Sequence, residues 1–202
     1  MSSKIRSKFI YRTLLLTALA ASFLLLWQLN NRVLSNPSYV PVDDFGQYWA
    51  AGRLIISNAN PYNVDLIQVI RDSAATIQTK YSVIPIAWTP PGSLVLLMPF
   101  GLFNYPLARI SWLLICTALI LICADYLWQI YGVNRKYIWL VWLTSFVFGP
   151  TISILQKGQI TPWILVGITG FYYFTTIKRN DWIAGIFAAL VSLKPQLFYL
   201  FW

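Results

Sequence analysis

The chain has no histidine and no glutamate, and its six acids, all aspartate, stand against fifteen Lys and Arg in 202 residues. Without imidazole there is no ordinary neutral-pH base and no favoured zinc ligand, so Ser-His triads and zinc hydrolysis are excluded. Cysteine is almost as scarce. Cys116 and Cys123 are seven positions apart in one apolar run, which on a helix separates them by about 10 Å, beyond disulfide reach. They read as helix-packing residues and carry no information about compartment. Charged residues make up only 10% of the chain, and no internal repeat, low-complexity tract or heptad interrupts it.

What is abundant is apolar surface. Hydrophobic residues are 58% of the chain, aromatics 17%, and the mean hydropathy is +0.61, too apolar for a soluble domain of this length. The reading is an integral membrane protein whose first partner is the lipid bilayer. A formal charge of +9 in a soluble protein suggests nucleic acid; here topology accounts for most of it, and no nucleic-acid partner is expected.

Lys4, Arg6, Lys8 and Arg12 precede an uncharged stretch at 13–29. Its bulky end, without a small-x-small cleavage site, predicts an uncleaved anchor with the N-terminus in the cytoplasm. Residues 30–89 then form a long extracytoplasmic loop with two helical stretches, near 45–56 and 64–79. Pro90-Pro91 opens an apolar run to Phe103 that is too short to span and predicts a re-entrant or interfacial helix. Further crossings are expected at 106–126, 137–155, 162–177 and 182–199, about five in all with the anchor. Basic turns at Arg135-Lys136 and Lys178-Arg179 fall on the cytoplasmic side. The fold class is therefore all-α, a polytopic helical bundle in a single domain over 1–202.

On this topology Asp43, Asp44, Lys157, Gln159 and Lys194 share the outer half of the membrane. Asp44 has two readings: a cap for the helix that follows, or a base at the membrane surface. Lys194 lies inside an apolar stretch, where an ammonium either snorkels to the interface or lines a polar cavity and holds a phosphate. Lys157 and Arg53 are placed to assist it. Most tryptophans, including Trp112, Trp142 and Trp163, read as interfacial belts. Tyr48, Trp49, Tyr62 and Trp88 lie beside the carboxylates and are assigned to a substrate pocket.

Asp44-Phe45, then Tyr48-Trp49-Ala50-Ala51-Gly52-Arg53-Leu54, then Asn60-Pro61-Tyr62 resembles the opening signature of glycosyltransferase family 87, polyprenyl-phosphate-sugar-dependent enzymes of the GT-C superfamily. Gln156-Lys157-Gly158-Gln159 resembles the family's Gly-Gln element, and Leu193-Lys194-Pro195-Gln196 its Lys-Pro element. The resemblance implies an inverting hexosyltransferase of the plasma membrane, its active face extracytoplasmic. A mannose-type hexose would pass from a polyprenyl-phosphate donor to a lipid or glycan acceptor. Asp44 would be the general base, and Asp43, Tyr48, Arg53, Trp88, Lys157, Gln159 and Lys194 would bind substrate. Adjacent carboxylates on a helix start point apart, so neither metal nor other cofactor is expected beyond the donor itself. The alternative is a polyprenyl-lipid transporter or non-catalytic membrane subunit, which binds the same head group without needing an acid. Family members continue through further crossings, so a chain stopping at Phe201-Trp202 is expected to be truncated and inactive alone.

Overall fold

The computed structural model describes residues 44–74, 89–132 and 134–194, which are built from helices with no strand among them. The anchor expected at 13–29, Asp43 and Trp88 lie outside the described residues. Helix α1, Asp44–Ile56, carries an acid in its first turn, as the helix dipole favours. It stops at Asn58, in the left-handed region at φ 54°, while Ala59 N–H reaches back to the Leu54 carbonyl at 2.8 Å. Asn60 then folds the Asn-Pro-Tyr turn by accepting from Tyr62 N–H, and Asn63 accepts from Leu66 N–H to start α2, Val64–Ala74.

Helix α3, Pro91–Leu97, opens with proline at its first position and runs into a 3-10 turn, Met98–Leu102. As expected for this run it is too short to span. It lies instead against α1, where two glycines let the backbones touch. A Cβ on Gly101 would stand 2.6 Å from the Gly52 and Arg53 backbone, and one on Gly52 would stand 2.9 Å from the Leu97 oxygen.

Helix α4, Tyr105–Tyr131, is capped by the Asn104 side chain and is long and apolar enough to cross a membrane. The crossing expected at 137–155 is instead two helices, α5, Ile138–Val147, and α6, Gly149–Lys157, bent by 59°. The chain is extended at Phe148 (φ −67°, ψ 116°), and Pro150 is the cause: it has no N–H for the Phe146 carbonyl and its ring crowds that carbonyl. Helix α7, Thr161–Thr176, has 16 residues and at 1.5 Å per residue falls several ångström short of a ~30 Å hydrocarbon layer. Of the last crossing, expected at 182–199, residues 195–199 lie outside the described residues; the described part is α8, Asp181–Val191, followed by a tight turn in which Lys194 N–H donates to the Val191 carbonyl at 3.3 Å. Pro195 follows, and a residue ahead of proline leaves the α-region. Among the described residues one helix therefore meets the length and apolarity needed to span, or two if the bent pair is one span; of the five expected crossings, that at 13–29 lies outside these residues and that at 182–199 lies partly outside them.

Helices α4 and α7 run in the same direction. Trp112 faces Trp163 near their starts (ring centroids 6.5 Å apart), and Tyr126 faces Tyr173 near their ends at 4.7 Å. Helix α8 returns antiparallel to α7, with Gly170 against Phe187 and Gly167 against Leu190 and Val191. The bundle thus has two ends. One gathers Phe45, Trp49, Phe100, Trp112, Ile160, Val191 and Leu193 into the main core; the other holds the smaller core of Ala124, Ile138 and Trp142 beside the basic turns.

Candidate active site at the aromatic end of the bundle

Phe45 is fully buried and connects this end. Its ring lies edge-on to Phe100 at 6.2 Å and tilted against Trp112 at 5.5 Å. Asp44 is the preceding residue, half-buried in the first turn of α1. The second wall is the loop after α6. Gly158 takes the left-handed conformation (φ 65°, ψ 36°) that closes a helix, and Gln159 N–H returns to the Ile154 carbonyl at 3.0 Å.

A Cβ on Gly158 would meet both Arg109 Nη1 and Phe45 Cβ at 2.5 Å, so α1, α4 and the loop touch at one glycine. Two side chains one turn apart on α4 grasp the loop. Arg109 Nη2 donates to the Leu155 carbonyl at 3.2 Å and the Gln156 carbonyl at 2.5 Å, and Trp112 Nε1 donates to the Gly158 carbonyl at 2.9 Å. The Arg109 guanidinium also sits 5.5 Å from the Phe45 ring centroid, within cation–π range.

The structure brings several of the expected residues to this end. Lys157, the exposed last residue of α6, and half-buried Gln159 flank Gly158, and the Thr161 hydroxyl donates to Gln159 Oε1 at 3.4 Å. Lys194 is half-buried beyond α8, next to Leu193, which belongs to the same core as Phe45. It follows a short helix rather than sitting inside a long crossing.

Other expected residues lie elsewhere. Arg53 is exposed, stacked 5.1 Å from the Trp49 ring centroid, and nine residues along α1 put it about 13 Å from Asp44. Tyr48 is buried, its ring 6.3 Å from Trp112. Trp49 is buried too, its Nε1 donating to the Phe103 carbonyl at 3.0 Å, and the Tyr62 hydroxyl donates to the Thr89 carbonyl. Tyr48 and Trp49 are thus core rings of this end, and Tyr62 ties the Asn-Pro-Tyr turn to Thr89.

The region containing the loop, Arg109, Trp112 and Lys194 matches the model of glycosyltransferase family 87 over residues 88–202, more than half of the chain. The chain belongs to glycosyltransferase family 87. It is a glycosyltransferase by that membership, and the matched region begins after Asp44. No curated protein and no solved structure matches the chain.

Arg109 and Trp112 are the members of this end that sequence reasoning did not assign to it. Trp112 is fully buried and bonded to the loop, in place of the interfacial position expected for it, and Trp142 is likewise buried. The available signal was their i, i+3 spacing, which puts a cation and an indole on one face of α4.

Proposed function

We propose that this family member is a multi-pass membrane hexosyltransferase that takes a mannose-type sugar from a polyprenyl-phosphate donor and passes it, with inversion, to a lipid or glycan acceptor on the extracytoplasmic side. The observation that carries this reading is the meeting of Phe45, Arg109 and Gly158, which ties the first turn of α1, and so Asp44, to the loop bearing Lys157 and Gln159. A carboxylate beside cationic and amide groups is what inverting transfer needs. Asp44 takes the proton from the acceptor hydroxyl as its oxygen attacks the anomeric carbon. The bond from that carbon to the phosphate oxygen breaks, and Lys194, Gln159 and Lys157 hold the departing phosphate. Asp43 and Trp88, outside the described residues, are assigned to substrate binding, with Tyr48 packed on Trp112 and Arg53 at the rim. No metal enters this scheme.

Two further observations support a lipid-borne donor. Leu114, Ile122, Leu143, Val147 and Ile186 are exposed large apolar residues, as expected of a surface covered by lipid. An apolar cavity of about 480 Å³ opens at the α5–α6 bend, lined by Ile120, Leu127, Val141, Phe148 and Pro162, and reaches Thr161 beside Gln159.

The test is transfer of labelled mannose from polyprenyl-phosphate mannose to membrane-extract acceptors by the reconstituted full-length protein. Lys194→Ala is expected to raise the donor KM about tenfold, the cost of one phosphate contact. Donor binding without any transfer by the unsubstituted protein would favour the lipid-transporter reading.

A further inference from the structure

We propose that Arg109 is a positioning residue, which with Trp112 fixes the Lys157–Gln159 loop against the start of α1; this rests on the transferase reading above. The last carbonyls of any helix lack intrahelical donors, and in an apolar setting each one left unmet is costly. At the end of α6 the Gly158 turn meets part of this need, since Gly158 N–H reaches the Leu155 carbonyl at 3.3 Å and Gln159 N–H the Ile154 carbonyl. The Gln156 and Gly158 carbonyls take their donors from another helix, from Arg109 and Trp112.

The loop's position is therefore set by α4 rather than by α6, which is already cut off from α5 at Phe148. A helix displaced by a 59° bend has no straight continuation to hold its far end in register. Arg109 supplies that hold.

Arginine suits this place for three reasons. One nitrogen of its planar guanidinium spans two carbonyls, its cation faces the negative end of the α6 dipole, and its face covers the Phe45 ring. The same group thus touches the loop that carries Lys157 and Gln159 and the residue next to Asp44. A lysine offers a point charge with no planar face, and glutamine a shorter neutral arm.

The test uses nitroxide labels at Ser57 and Gln156, both exposed, in the reconstituted full-length protein with Cys116→Ala and Cys123→Ala. A second pair at Thr176 and Ile186, also exposed, reports on α7–α8 packing. With Arg109 present, the first pair is expected to give one narrow distance distribution. Arg109→Gln should broaden or split it while the second pair stays unchanged, and Arg109→Lys should recover part of the narrow population. Mannose transfer by Arg109→Gln should fall about tenfold or more in kcat, with Arg109→Lys between, because small misplacements of binding groups are amplified in rate.

An unchanged first-pair distribution in Arg109→Gln overturns the proposal. So does a broadened one with kcat at the unsubstituted level, and so does a change confined to donor KM, which would make Arg109 a substrate contact. If the second pair also broadens in Arg109→Gln, Arg109→Lys decides: disorder of the second pair there too marks Arg109 as general packing and overturns the proposal. If the unsubstituted protein transfers no mannose, the transferase reading fails by itself, and the label distances still decide whether Arg109 clamps the loop.

Discussion

The two ends of the bundle are held together differently. At the aromatic end, indole, phenol and guanidinium groups reach across large stretches of sequence to carbonyls: Trp49 to Phe103, Tyr62 to Thr89, Arg109 to Leu155 and Gln156, Trp112 to Gly158. At the basic end the polar contacts are local. Asn134 and Asn180 cap the elements that follow them, and Asp125 pairs with Gln129 and, at 3.4 Å, with Arg135, whose side chain is 69% exposed. Long-range bonds to loop carbonyls fix the relative positions of separate elements, which is what a site assembled from three segments requires. Local caps and exposed pairs merely finish helices in water.

The comparison predicts first an all-or-none effect. If the basic end is cytoplasmic, as the proposed function has it and as Lys and Arg in short turns favour, cysteines placed singly at Asn58 and at Lys157 in sealed cells will react with an impermeant maleimide, and one at Asn134 will not. Labelling at Asn134 alone would turn the bundle over.

The next effect is on stability. Gly158→Ala forces a Cβ into the left-handed region and against Arg109 and Phe45, and strain plus overpacking should cost about 2–5 kcal/mol. Unfolding in mixed micelles would read this as a large fall in the midpoint; a shift near zero would mean that the three elements do not meet at this residue. Smallest is the change at the other end, where Arg135→Ala removes an exposed pair and should alter stability by no more than about 0.5 kcal/mol in the same titration. A loss comparable to that of Gly158→Ala would erase the contrast between the ends.

Much of the fold is legible in local sequence. The first described helix was expected at 45–56 and is Asp44–Ile56, because Asp44 opens it and an Asn-rich turn closes it. The short run after Pro90 stays short, and the two basic turns fall at one end. Where hydropathy alone was read, the expectation went too far. The run at 137–155 is apolar throughout its first part, yet the chain breaks at Phe148, two residues ahead of Pro150. The i, i+3 spacing of Arg109 and Trp112 marks a shared helix face, but their partners are 46 and 47 residues away, so the spacing does not name what that face holds. Interfacial tryptophans and core tryptophans look alike in sequence; only the Gly158 carbonyl distinguishes Trp112.

The central claim is that the aromatic end carries the chemistry, and the two ends each offer a carboxylate with which to test it. Asp44→Asn and Asp125→Asn make the same isosteric change, removing a proton acceptor while keeping shape. In mannose transfer from polyprenyl-phosphate mannose by the reconstituted full-length protein, Asp44→Asn is expected to lower kcat by about a hundredfold or more with donor binding retained, as for loss of a general base, while Asp125→Asn leaves kcat unchanged. Transfer by Asp44→Asn at the unsubstituted rate, or an equal loss in both variants, would contradict the account.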